Sequence, residues 1–151
     1  MTMTRTYSKV LDRLKAANLR PTRQRLALAK LLLENHHRHI TAEELFHEAR
    51  TGGIMVSLAT VYNTLHQFTS AGLLREVVVD LGQSYFDTNT SHHHHFFDEA
   101  TGKLSDIPDD HIEISRLPTA PEGQEIDRVE VIVRLRAAEP ARPDPGMMES
   151  V

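Results

Sequence analysis

The apolar residues of this 151-residue chain recur at three- and four-residue spacing up to Phe68 and at every second residue after Gly72, and that single change of period constrains the fold most. It predicts helices first and strands afterwards. Val10, Leu11 and Leu14 mark a helix over residues 7–18, closed ahead of Pro21 because proline disfavours helix at the residue before it. Thr22 caps a second helix whose apolar face is Leu26, Ala29, Leu32 and Leu33, and His36-His37-Arg38-His39 interrupts it. Thr41 with Glu44 three residues on is a capping-box pattern, opening a third helix that stops at Gly52-Gly53. Ser57 caps a fourth, in which Leu58, Val61, Leu65 and Phe68 share a buried face. Its opposite face carries Thr60, Asn63, Thr64 and Gln67, uncharged hydrogen-bonding side chains suited to base edges. Residues 74–80, a Gly82 turn and residues 84–87 read as a hairpin.

Helices followed by a hairpin is winged-helix order. The predicted class is α+β, with an N-terminal winged-helix DNA-binding domain over residues 1–85 and a small α/β dimerisation domain over 86–137. Strands are expected at 93–97, 103–107 and 128–136, the last packing through Val129, Val131, Val133 and Leu135. Residues 138–151 hold three prolines and little apolar material, which predicts a disordered tail. A second lobe this small buries its core best against another copy, so an oligomer is expected. Neither a membrane span nor a leader is read, which predicts a cytoplasmic protein.

Charge divides the same way. Residues 1–85 carry 11 Lys and Arg against 7 Asp and Glu, whereas residues 86–151 carry 6 against 14. The first half suits phosphate, and the second tolerates cations or itself.

Ten histidines, four of them consecutive at His92–His95, need a chemical reason. On a strand, His93 and His95 point to one side and His92 and His94 to the other, so one run can feed two sites. Plausible completions of the first are Asp87, Asp106 and His39. With no cysteine in the chain the donors are nitrogen and oxygen, which suits iron(II), manganese(II) or zinc(II). Imidazole also ligates haem iron. His36, His37, His47, His66 and His111 read as surface or packing residues.

Four stretches carry a resemblance: Leu19-Arg20-Pro21-Thr22-Arg23-Gln24-Arg25, His39-Ile40-Thr41-Ala42-Glu43-Glu44-Leu45, Leu58-Ala59-Thr60-Val61-Tyr62-Asn63-Thr64-Leu65, and the Asp87, His93, His95, Gly102-Lys103, Asp106 series. They resemble the ferric uptake regulator (Fur) family over about residues 8–136, and the histidine run without a Cys-x-x-Cys pair looks most like its iron response regulator (Irr) subgroup. The resemblance implies a homodimeric regulator on AT-rich palindromic double-stranded DNA, responsive to iron or haem and controlling iron and haem metabolism genes. A manganese- or zinc-sensing relative is the alternative, and a histidine-ligated metalloenzyme the remote one. It assigns His39, Asp87, His93, His95 and Asp106 to a regulatory metal site, and His92, His94 and Glu113 to a second metal or haem site. Tyr62, Thr60 and Asn63 would face the major groove, Arg20 the minor groove, and Arg23, Arg25 and Arg75 the phosphates.

Overall fold

The computed structural model describes residues 2–34, 36–80 and 82–139. Helix α1 spans Thr2–Ala16, α2 Arg23–Leu33, α3 Ala42–Thr51 and α4 Leu58–Ser70, with a two-residue strand β1, His39–Ile40, between α2 and α3. Three helix starts follow local chemistry. The Thr22 and Ser57 side chains accept from the Arg25 and Thr60 backbone N–H groups, and Thr41 and Glu44 form the reciprocal capping box. Helix ends are local too: Asn18 and Gly72 both take a left-handed conformation, φ 59° and 81°, after which Leu19 and Leu73 donate back to Leu14 and Phe68.

The apolar stripes of the four helices meet in one core through fully buried side chains such as Leu14, Leu28, Leu32, Leu45, Leu65 and Phe68. Each such side chain contributes about 1.5–3 kcal/mol of transfer free energy. Thr64, expected on the outer face with Thr60, Asn63 and Gln67, lines the same groove beside α2 as they do but is buried to 5% exposure. It lies one turn from Val61 and Phe68 and is drawn in by their packing.

Strands β2 (Arg75–Asp80) and β3 (Gln83–Asp87) form the hairpin, and β1 joins β3 to give the antiparallel order β1-β3-β2. A second sheet, β5-β4-β6, is built from β4 (His94–Asp98), β5 (Lys103–Ile107) and β6 (Ile132–Leu135), with β4 antiparallel to β5 and parallel to β6. The two sheets share a small apolar cluster, Val77, Val79 and Tyr85 from the first with Phe97 and Leu104 from the second. The Tyr85 hydroxyl donates to the Gly102 carbonyl across the junction. β3 runs two residues beyond 85, so the two expected domains meet inside a strand.

The last strand departs from expectation. Only Ile132–Leu135 pairs, and Ile132, not the valine series, packs on the shared cluster, while Leu135 is 39% exposed. Register is the cause. Paired residues point to the same side of a sheet, and the pairing His95↔Ile132, Phe97↔Arg134 places Ile132 and Arg134 on the inner face. Arg134 is accommodated there by lying over the Phe97 ring at 5.7 Å and donating to the Val79 carbonyl. Between β5 and β6 the chain makes one 3-10 turn, Asp109–His111, and residues 112–131 have no regular structure. The expected tail at 138–151 falls outside the described residues from 140 onward.

Candidate metal centre and nucleic-acid face

Strand register builds the first cluster. In one sheet His39 lies opposite Asp87, and in the other His95 lies opposite Asp106, with His93 just ahead of β4 on the same side as His95. These five residues come together where the sheets meet, each offering one ligand atom within 4.8 Å of all the others. Asp87 Oδ2 stands 3.1, 2.8 and 3.0 Å from the Nε2 atoms of His39, His93 and His95. Asp106 Oδ1 stands 2.8, 3.0 and 3.6 Å from the same three nitrogens. Atoms each about 2.1 Å from a common ion, at angles of 90–110°, are roughly 3.0–3.4 Å apart, so the spacing fits a shared cation.

His93 Nδ1 lies 2.7 Å from the Ser91 carbonyl oxygen, which can only accept, so Nδ1 carries the hydrogen. A neutral His93 then aims a bare Nε2 at two carboxylate oxygens. Lone pairs facing lone pairs require a positive charge between them, from a proton or a metal ion. Asp87 is fully buried, and burial works against its ionised form. Hydrogen bonds from His39, His95 and the Asn89 N–H outweigh that and hold it well below the usual carboxylate range. Burial likewise opposes a charged His39, but the bonds and charges of Asp87 and Asp106 prevail and raise it. Asp106, with a side chain 42% exposed, is the open side of the cluster.

The second histidine pair meets a different acid from the one expected. His92 Nδ1 lies 3.0 Å from Asp109, and His94 completes the group, while Glu113 is exposed and stands outside it. The 3-10 turn after Pro108 carries Asp109 back over the strand, and the chain then runs extended through Ile112, taking Glu113 away. His94 is buried with Nδ1 accepting from the Val131 N–H. Burial, then the neighbouring His92, hold its pKa below the ordinary value. Nothing local marks Asp109 in the sequence over the adjacent Asp110. The five remaining histidines are exposed, as read.

The residues expected to face DNA divide into two groups. Arg20, Thr22, Gln24, Arg25, Thr60, Asn63 and Gln67 are among those lining a groove of about 380 Å³ between the start of α2 and the outer face of α4. Arg20 and Arg23 are exposed. Arg25 is committed inside the protein, donating to Gln67 Oε1 and to the Arg20 carbonyl. Tyr62 is half-buried, and its hydroxyl donates to Glu43 at 2.6 Å, a bond that raises its pKa. Arg75 does not belong to this face. It is buried at 7% exposure, paired with Glu130 at 3.0 Å and bonded to the Ser91 carbonyl. As the first residue of β2, opposite Asp87, it points into the junction between sheets, which excludes a phosphate contact.

A four-helix module with a β-ribbon, and a histidine–carboxylate cluster at the ribbon's base, define a metal-responsive transcription regulator rather than an enzyme. The model of the ferric uptake regulator family matches residues 16–134, and the chain belongs to that family. It is 38% identical over 101 residues to the ferric uptake regulation protein of Shigella flexneri, covering 66% of this chain and 68% of that one. The peroxide-responsive repressor PerR of Staphylococcus aureus is 35% identical over 94 residues, 62% of this chain and 63% of its own. In structure the chain resembles the ferric uptake regulator of Pseudomonas aeruginosa with manganese, at a TM-score of 0.66 and 27% identity over 85% of this chain and 97% of that one. Among the described residues no helix is long and apolar enough to cross a membrane.

Proposed function

We propose that this chain is a cytoplasmic, homodimeric, Irr-like regulator of iron and haem metabolism genes, with a winged-helix reader over residues 1–85 and a sensing and dimerising part over 86–137. It binds AT-rich palindromic DNA through Arg20, Arg23, Thr60, Tyr62 and Asn63, and responds to a divalent ion held by His39, Asp87, His93, His95 and Asp106. One observation carries the reading: the five donors come from both sheets, so an ion among them ties the reading module to the rest of the chain. When bound, the ion would supply the positive charge that His93 Nε2 and the two carboxylates lack. The absence of cysteine and the four-histidine run favour the Irr-like subgroup.

Haem is the finer part of the proposal. A porphyrin needs an open approach to its axial imidazole, and His93, His94 and His95 are all at 5% exposure or less. His92, with a side chain 53% exposed, is the ligand of the run that such a ring could reach. Manganese or zinc sensing is the second reading, favoured by the nitrogen–oxygen donor set and by the manganese in the Pseudomonas aeruginosa relative.

The test is elemental analysis of untagged protein, a Soret titration with haem, and binding to an AT-rich palindrome with and without each metal. Binding that falls linearly in log affinity against log salt and changes with iron supports the reading. Indifference of DNA binding to iron, haem, manganese and zinc alike would sink it.

A further inference from the structure

Helix α4 contains no Lys, Arg, Asp or Glu. Its exposed stripe of Ala59, Asn63 and Gln67 therefore offers two carboxamides and no charge. A carboxamide has two faces, an accepting oxygen and a donating NH2, and one that turns freely can read adenine with both or present either alone.

Gln67 is not free to turn. Arg25 donates to its Oε1 twice, from Nε at 3.3 Å and Nη2 at 2.9 Å. A guanidinium has no acceptor, so the atom facing it must be the oxygen, and the NH2 is left to face away. Arg25 is itself braced. Its Nη1 donates to the Arg20 carbonyl at 3.0 Å, and its backbone N–H to the Thr22 side chain. Asn63, one turn earlier, has no side-chain partner among the described residues and keeps both faces.

Resting on the DNA-binding reading above, we propose that Arg25 is a positioning residue that makes Gln67 a donor-only reader. Gln67 Nε2 then seeks an acceptor in the major groove, which guanine, adenine N7 and thymine O4 supply, and rejects cytosine, whose group there is an N4–H2 donor. Arg25 acts through Gln67 and not through phosphate.

The experiment selects full-length, manganese-loaded protein on a randomised duplex library. Wild type is expected to deplete cytosine at one position in each half-site. Gln67→Glu keeps the Arg25 contact but replaces the outward donor by an acceptor, so cytosine is enriched there and the wild-type sequence loses roughly tenfold in affinity. Arg25→Lys cannot hold the amide by two bonds, so the depletion relaxes and adenine gains. Manganese binding and the unfolding midpoint stay unchanged, which a merely structural role for Arg25 would not predict. Gln67→Ala guards against misfolding of the charged variant and is expected to lose preference at that position alone. Loss of affinity uniform across all sequences, the mark of a phosphate contact, overturns the proposal, as do unchanged base preferences in the variants. Should wild type select no sequence, the DNA-binding reading falls and this proposal with it. Selection by wild type with identical choices by every variant removes the proposal alone.

Discussion

The two sheets of this protein stand on different kinds of interior. The first is roofed by four helices and shares a core of Leu, Ile, Val, Ala and Phe that their stripes fill without help. The second contributes Phe97 and Leu104 to an apolar cluster whose other buried members, Val77, Val79 and Tyr85, belong to its neighbour. Its own buried polar positions are His93, His94 and His95. A hydrophobic interior is indifferent to solutes, whereas one made of imidazoles around a shared carboxylate depends on what charge sits among them. The contrast sets an apolar interior against a histidine–carboxylate junction, and it identifies that junction, to which both sheets contribute donors, as the place where a bound ion would change the stability of the fold.

Leu65→Ala probes the apolar interior and should have the largest effect. Leu65 is fully buried, and its truncation costs about 2–5 kcal/mol of unfolding free energy by denaturant titration. The loss should be the same with and without manganese, and a loss that metal rescues would mean the two interiors are one cooperative unit. The double variant His93→Ala, His95→Ala should remove the stabilisation a bound ion gives, about 2.7 kcal/mol at a hundredfold excess over Kd. Hydrogen exchange should then quicken in β4 and β5 while α2–α4 stay protected; equal loss in the helices would erase the distinction.

A smaller effect is expected from Arg75→Met, which keeps the apolar stem but leaves Glu130, 21% exposed, with only its longer contact to Arg128 at 3.7 Å. Partial exposure discounts the cost to about 1–3 kcal/mol. Its DNA affinity should keep the wild-type salt slope, because Arg75 faces the sheet junction; a slope smaller by about one would return it to the phosphate face. Smallest is Thr41→Ala, which removes one half of the capping box and costs about 1 kcal/mol, read as a shift in denaturant midpoint with metal binding intact.

Much of this was legible in the residues. The caps at Thr22, Thr41 and Ser57 and the hairpin are signalled within a few positions of themselves and form as read, whereas α1 spans Thr2–Ala16 and so begins ahead of the helix expected over residues 7–18. The set His39, Asp87, His93, His95 and Asp106 was legible from alternation on a strand and from family pattern, and the fold brings all five together. Arg75, Glu113 and the valine face of β6 lie elsewhere than the sequence predicts. For Arg75 and Ile132 the deciding partner lies far along the chain, Glu130 and the β4 register, and for Glu113 it is the 3-10 turn, which carries Asp109 instead to the distant His92.

Sequence alone determined which segments coil, which extend, and which imidazoles share a side, because those properties follow from nearest-neighbour sterics and period. Tertiary structure alone decided which charged groups pair, which carboxylate answers His92, and which way Gln67 turns its amide. A hydrogen bond or ion pair is made with whatever the folded chain brings within about 3 Å, and a one-dimensional pattern carries no record of that distance.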